Sequence, residues 1–335
     1  MNSDSGALDV VGVGNALVDV ISATSGTQLN ALNLYEGAMT LVSKERAEAI
    51  YEAMGATTEM SGGSAANTVA AIAALGGAAG YVGKVADDEL GRVFTHDMKA
   101  SGVTFEPADA GDDGHLGTGR CLVLVSRDGA RTMATYLGIA STVRPGELPA
   151  EFFSRGRILY LEGYLWDLPP AKEAMRRAAR TVHDAGGSVA LSLSDPFCVE
   201  RHRRDFLDLL LGDVDVLLGN EEELVQLFAA RSAEEALAAA EQTGLLVAMT
   251  RGAAGSVVVT AHGPVAVAAA PVDPVVDTTG AGDLFAAGFL YALTHGADPV
   301  EGARLGSLCA AEILGHFGAR PERDLAAMAR AAGLV

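Results

Sequence analysis

From about residue 140 onward, short apolar runs alternate with longer segments of helical spacing. Ile158-Leu-Tyr-Leu-Glu162, Val189-Ala-Leu-Ser-Leu193, Val214-Asp-Val-Leu-Leu218 and Leu245-Leu-Val-Ala-Met249 read as buried strands. Pro170 to Ala185 and Ala233 to Gln242 read as helices between them. Repeated βα alternation predicts an α/β protein with a mainly parallel sheet covered by helices on both faces. Right-handed crossovers would join its strands, and ligands would sit at their carboxyl ends. Gly255 to Thr260 and Pro264 to Ala268 read as a hairpin, and Pro274-Val275-Val276 as a short extended segment. Beyond it, Phe285, Gly288, Phe289, Ala292 and Leu293 follow the spacing of one buried helix face.

The first half is less regular. Leu8 to Val13 predicts a buried strand ending at Gly14. If the chain stays extended beyond it, Asn15, Leu17 and Asp19 share one face, two polar groups around an apolar one, which suits a ligand with hydroxyls and a flat apolar part. Val20 to Val42 is polar and turn-rich, with Ala38 to Val42 its clearest strand; Lys44 to Met54 follows as a helix capped by Ser43. Arg120 to Val125 and Thr132 to Tyr136 flank Asp128-Gly129, the pattern of a hairpin with its turn there. Short strands inserted beside the first core strand are what a small lid would look like. The expected division is a core of residues 1–18, 46–115 and 140–335 with a β lid of 19–45 and 116–139. Between the lid pieces, Ser61-Gly-Gly-Ser-Ala-Ala-Asn67 enters a helix with Val69, Ile72, Ala73 and Leu75 on one face.

Composition narrows the classes. A net charge of −19 and a pI near 4.7 argue against broad affinity for nucleic acid, which needs a basic face. The one basic cluster, Arg201-His-Arg-Arg204, is short and is expected on a solvated helix start. Cys121, Cys198 and Cys309 stand singly, as reduced buried thiols would. No run approaches about 18 strongly apolar residues, and the N-terminus lacks a basic region. A soluble cytoplasmic protein without a membrane partner is expected, as monomer or homodimer. Gly12-Val-Gly-Asn-Ala-Leu17 opens like a dinucleotide fingerprint but has Leu17 at the third glycine position, and Gly83-Lys84-Val85 fails the P-loop test.

Candidate chemistry centres on Asp277-Thr-Thr-Gly-Ala-Gly-Asp283. Gly280 and Gly282 let successive backbone N–H groups converge at a helix N-terminus, a place suited to phosphate. A carboxylate there, Asp283, repels phosphate unless a proton, hydroxyl or metal lies between, which fits a base; the structural alternative is that Asp283 caps the helix and Asp277 starts a turn. Gly62 and Gly63 permit close approach of a ligand, and Asn67 offers a donor and an acceptor, although a tight turn with a capping Asn would look the same. Asn220-Glu-Glu-Glu223 is by itself an acidic helix start favoured by the macrodipole.

Asp277-Thr-Thr-Gly-Ala-Gly-Asp283 with the following Gly288-Phe289 resembles the C-terminal motif of the ribokinase-like, or PfkB, family of sugar and nucleoside kinases. Gly62-Gly-x-x-x-Asn67, Tyr81 to Val85 and Asp87 to Gly91 resemble its N-terminal half, so the resemblance spans essentially the whole chain. It implies a ribokinase-like fold with a small β lid, and an ATP-dependent kinase acting on an alcohol. It makes Asp283 the catalytic base, with the backbone of Gly280, Ala281 and Gly282 stabilising the transferred phosphoryl group. Asn220 and Glu223 would organise Mg²⁺ through water, Thr250, Gly252 and Gly255 would border ATP, and Asp277 would neighbour a monovalent cation, K⁺. Gly14-Asn-Ala-Leu-Val-Asp19, Ser64 after the paired glycines and Leu193-Ser-Asp-Pro-Phe197 resemble the adenosine kinase branch. That similarity implies a nucleoside held by Asn15, Asp19, Gly62, Gly63 and Asn67, with Leu17, Leu137 and Phe197 around the base; for Phe197, core packing is an equal alternative. Tyr164 and Trp166 are further pocket aromatics to test. A sugar kinase of the ribokinase, fructokinase or 2-keto-3-deoxygluconate kinase type is the alternative activity.

Overall fold

The structure is a computed structural model that describes residues 6–127 and 130–335. In chain order the strands are β1 (Leu8–Val13), β2 (Leu17–Ala23), β3 (Met39–Leu41), β4 (Thr58–Gly62), β5 (Ala79–Gly83), β6 (Thr104–Pro107), β7 (Gly119–Val125) and β8 (Arg131–Tyr136). They continue as β9 (Gly156–Glu162), β10 (Ser188–Ser192), β11 (Val216–Asn220), β12 (Leu246–Thr250), β13 (Ser256–Thr260) and β14 (Gly263–Val267). The helices are α1 (Gly26–Ala31), α2 (Lys44–Ala53), α3 (Ser64–Ala74), α4 (Glu89–Ala100), α5 (Ala150–Phe153) and α6 (Pro169–Asp184), then α7 (Pro196–Leu209), α8 (Glu221–Phe228), α9 (Ala233–Thr243), α10 (Ala281–Thr294), α11 (Pro299–Leu314) and α12 (Leu325–Ala331).

Among the described residues the strands form two sheets. The larger has the order β14-β13-β12-β11-β10-β9-β1-β5-β6. It is parallel from β12 to β6 and antiparallel at β12-β13-β14, as the βα alternation and the predicted hairpin require. Apolar clusters fill both of its faces. Val10, Tyr160 and Leu218 pack on one side with α3 and α10, and Val11, Leu159 and Leu217 pack on the other with α6 and α7. Alternate residues of the same strands serve opposite faces, so the strand sequences are apolar throughout.

The smaller sheet has the order β3-β8-β7-β2-β4. One face packs Leu122, Leu124 and Ala134 with Leu29, Ala47 and Ile50 of α1 and α2. On the other face Asp19, Met39, Leu41, Cys121, Met133 and Thr135 line a cavity, the two-residue alternation that the pleat imposes. The hairpin of β7 and β8 is antiparallel as expected. Its expected turn, Asp128-Gly129, lies outside the described residues.

Several elements differ from the sequence expectation. Thr58–Gly62, placed in a core segment, pairs with β2 in the smaller sheet, where backbone bonds rather than an apolar pattern hold it. Pro274-Val275-Val276, read as a short extended segment, joins neither sheet; Val276 donates its N–H to Leu314 O at the end of α11. Arg201 to Arg204 lie in the second turn of α7 and beyond, not at a helix start. His202 is 2.6 Å from an Asp167 carboxylate oxygen, and Arg203 Nε donates to Leu227 O. Residues 284–292 of α10 are buried all round rather than on one face, because no polar side chain interrupts Leu284 to Ala292 except the Tyr291 hydroxyl. The helix lies against α3 and α11, which sets its N-terminus over the carboxyl ends of the core strands.

Candidate active site

A cavity of about 1160 Å³ opens between the two sheets. That is slightly more than the roughly 300–1,000 Å³ of an ordinary small-molecule pocket, enough for two ligands side by side. Its floor is the carboxyl ends of β1, β9, β10, β11 and β12, represented by Asn15, Glu162, Ser192, Asn220 and Thr250, and its roof is the smaller sheet. The N-termini of α3 and α10 meet at one wall.

Asp283 sits at that meeting point. Gly280 is the N-cap of α10 with φ +78°, a conformation glycine adopts freely, and no side chain caps the helix. Asp283 therefore does not cap its own helix. Ser64 Oγ donates to its Oδ1 at 2.6 Å and Asn67 Nδ2 to its Oδ2 at 2.9 Å, both from the first turns of α3. Burial raises its pKa, and the two hydrogen bonds partly oppose this. Ala281 N donates back to Thr278 O at 3.3 Å, and the N–H groups that follow it in the first turn of α10 are donors beside the carboxylate.

The acceptor side of the cavity is set by backbone contacts. Gly63, the N-cap of α3, has φ +96°, and a Cβ there would lie 2.3 Å from Asn15 O, so only glycine lets β4 turn into α3 against β1's exit. Gly62 makes room for Asp19, since its Cβ would lie 2.4 Å from the Asp19 carboxylate. Asp19 is half-buried, and desolvation raises its pKa to about 6 against the pull of Arg320 and Arg131. Asn15 and Asn67 are 2% and 5% exposed, and each has its Oδ1 buried without a hydrogen-bond partner among the described residues. A buried acceptor left unpaired is destabilising. On a cavity wall such atoms are where ligand hydroxyls would donate.

The remaining expected residues divide. Leu17, Leu137, Phe197 and Tyr164 line the cavity. Phe197 is 71% exposed at the start of α7, which rules out core packing. Trp166 is fully buried against Phe206 and belongs to the core, so it is no pocket aromatic. Asn220, Glu223 and Thr250 reach the cavity, whereas Gly252 and Gly255 lie in the β12–β13 connection away from its wall, and Gly62 and Ala281 stand behind it. Asn220 and Glu223 form a complete capping box: Asn220 N donates to Glu223 Oε2 at 2.8 Å, and Glu223 N donates to Asn220 Oδ1 at 2.9 Å. The helix-start role is thus real. Burial also raises the Glu223 pKa to about 7. One carboxylate and one amide on the wall are hard oxygen donors, a set that fits magnesium held through its water shell.

Asp277 does start a turn, accepting from Thr279 N at 3.0 Å. Its other oxygen accepts from Gly318 N at 3.1 Å and pairs with Arg131 Nη2 at 2.6 Å. Its carboxylate is therefore already engaged, an arrangement that does not fit a monovalent cation beside it. Lys84, beside the failed P-loop, is buried and pairs with Asp113 at 3.1 Å and Glu147 at 2.8 Å, away from the cavity. Three groups escaped the sequence reading as site residues. Arg320 donates to Ala66 O at 2.7 Å and to Ser61 Oγ at 2.9 Å, tying α3 to β4 beneath Asp19 and Asp283. Glu162 accepts from Asn15 Nδ2 and Ala65 N, both at 2.9 Å. Arg131 arrives from β8. Only Glu162 carried a signal, a carboxylate ending an apolar strand.

A cavity at the carboxyl ends of a parallel sheet, a glycine turn at a helix N-terminus and a carboxylate between them form an arrangement for moving an anionic group to a hydroxyl. The family profile "pfkB family carbohydrate kinase" matches residues 36–324. The chain belongs to this family. Its fold is the ribokinase-like α/β fold of two solved structures. One is "adenosine kinase" from Sinorhizobium meliloti, 44% identical with TM-score 0.89, covering 97% of this chain and 99% of that one. The other, from Rhizobium etli CFN 42 and described as a "probable sugar kinase protein", is 41% identical with TM-score 0.90, covering 98% and 100%. A sugar kinase from Archaeoglobus fulgidus, itself uncharacterized, is 30% identical over 73% of this pfkB-family chain and 95% of its own length.

Proposed function

We propose that this pfkB-family kinase uses ATP to phosphorylate the 5′-hydroxyl of a nucleoside, adenosine foremost. The observation that carries this is one cavity lined both by Asn15 and Asn67, whose buried amide oxygens have no hydrogen-bond partner among the described residues, and by the solvent-facing ring of Phe197. The amides suit ribose hydroxyls and the ring suits a flat base. Similarity to the Sinorhizobium meliloti adenosine kinase supports the same acceptor.

In this mechanism Asp19, Asn15 and Asn67 hold the ribose, with Gly63 leaving space against it and Gly62 making room for Asp19. Leu17, Leu137 and Phe197 border the base. The acceptor oxygen attacks the γ-phosphorus, the bond to the β,γ-bridging oxygen breaks, and ADP leaves. The hydroxyl proton passes to Asp283, whose raised pKa brings it nearer to working pH. Phosphoryl-transfer transition states are loose, so positioning and charge stabilisation do most of the work, here through the backbone from Gly280 to Asp283. Magnesium, when bound with ATP, offsets charge on the phosphate oxygens, and Asn220 and Glu223 are the residues that would hold its water shell. Thr250 borders the nucleotide. Residues 19–45 and 116–139, with β4, act as the lid that excludes water.

ADP release measured with adenosine, other nucleosides, ribose and fructose tests the assignment. Adenosine should have much the highest kcat/KM. Stacking on an aromatic ring contributes roughly 1–3 kcal/mol per base, so Phe197→Ala should lower kcat/KM by about one to two decades with adenosine and little with a free sugar. A wild-type preference for a free sugar would establish the sugar-kinase alternative, which the Archaeoglobus and Rhizobium relatives favour. Equal losses on both acceptors would remove Phe197 from the base site.

A further inference from the structure

Arg131 opens β8 in the smaller sheet, while Asp277 precedes the Gly280 turn in the core. Their side chains meet across the cavity's edge at 2.6 Å, 7% and 5% exposed. Both oxygens of Asp277 are engaged by the chain itself: Thr279 N on one, and Gly318 N with the Arg131 guanidinium on the other. We propose that Arg131 supplies the positive charge that the family resemblance assigns to a monovalent cation beside Asp277, so that this enzyme needs no potassium.

A carboxylate three residues ahead of a phosphate-binding turn raises the local negative potential, and some cation must offset it. A guanidinium already does so, and at this burial the pair is screened little by salt. A second unit cation beside Arg131 would meet like-charge repulsion that this buried setting screens little. It would also have to displace a hydrogen-bonded ion pair from an oxygen that Gly318 shares. Ala319 closes the other side, since a Cβ on Gly280 would lie 3.0 Å from the Ala319 Cβ. Arg131 comes from the roof of the cavity, so the compensating charge is delivered by the smaller sheet.

The inference rests on the kinase assignment, and its test separates the two. Phosphoryl transfer by the wild type is measured in potassium, sodium and N-methylglucamine chlorides at matched ionic strength, with thermal midpoints recorded in the same solutions. The wild type should show equal rates and equal midpoints in all three. Arg131→Gln should lose about tenfold or more in kcat, as for removal of a preorganised charge. Potassium should restore part of that loss and raise its midpoint above the N-methylglucamine value. Arg131→Lys should keep the wild-type indifference to potassium, and it covers a Gln variant that fails to fold. Severalfold activation of the wild type by potassium overturns the proposal, as does a folded Arg131→Gln protein that potassium neither activates nor stabilises. Absence of transfer to any acceptor would defeat the kinase assignment alone, while the midpoints would still report whether potassium binds.

Discussion

Asp283 has both carboxylate oxygens hydrogen-bonded to α3, so its orientation is set before any substrate enters. Asp283→Asn keeps the shape and would remove the proposed base. Turnover should fall by about 10² or more with acceptor binding retained, because a positioned base contributes about 10²–10⁴; near-normal turnover would strip Asp283 of the role. Glu162 makes a different prediction. Its carboxylate accepts from Asn15 and Ala65, yet burial dominates and raises its pKa from 4.5 to about 7. The folded state then binds the proton more tightly than the unfolded chain. The resulting stabilisation is complete below about pH 4.5 and is lost as pH rises through about 7. The difference in thermal midpoint between wild type and Glu162→Gln should therefore shift against the wild type from pH 5 to pH 8. A difference that stays constant would mean Glu162 does not titrate in that window. The cavity carboxylates Asp19 and Asp283 were legible because glycines and apolar runs bracket them. Arg320 and Arg131 were not, since an isolated Arg in a polar loop or at a strand start looks solvated until tertiary contacts bury it.

At the scale of elements, α10 owes its position to its contact with α11. A Cβ on Gly288 would lie 2.7 Å from the N and Cα of Gly306, and one on Gly306 would lie 2.6 Å from Phe285 O. Backbone cannot yield as a side-chain tip can. Gly288→Ala must push the helices apart, at a cost of about 1–3 kcal/mol, and should tilt the Asp283 turn away from Ser64 and Asn67. Calorimetry should show a lower midpoint together with a lower kcat, whereas Gly26→Ala, in open space at the start of α1, should change neither. Retained stability in Gly288→Ala would mean that the two helices have slack. The core strands and long helices were readable because burial of both sheet faces forces apolar runs. Elements held by backbone pairing or by few buried side chains were not: α1 buries only Leu29, and β4 is Thr-Glu-Met-Ser-Gly at a sheet edge. The extended segment at residues 274–276 joins neither sheet.

For the whole molecule the dominant electrostatic fact is 43 acidic residues against 24 basic ones, a net charge of −19. Self-repulsion of that size destabilises the compact state, and it acts over distances longer than any single ion pair. Salt screens it, the Debye length falling from about 30 Å at 0.01 M to about 10 Å at 0.1 M. Exposed pairs such as Arg231 with Glu235 lose strength in the same range, but surface pairs contribute only about 0–1 kcal/mol each. The buried Arg131–Asp277 and Lys84–Glu147 pairs are little affected. Repulsion therefore decides the sign, and the thermal midpoint should rise as salt increases over that range. The rise should be the same for potassium, sodium and N-methylglucamine chlorides, because screening depends on charge and concentration rather than on ion identity. A midpoint that falls with salt would mean that attractive pairs outweigh the net charge. A rise specific to potassium in the wild type would instead locate a bound cation that Arg131 was expected to make unnecessary.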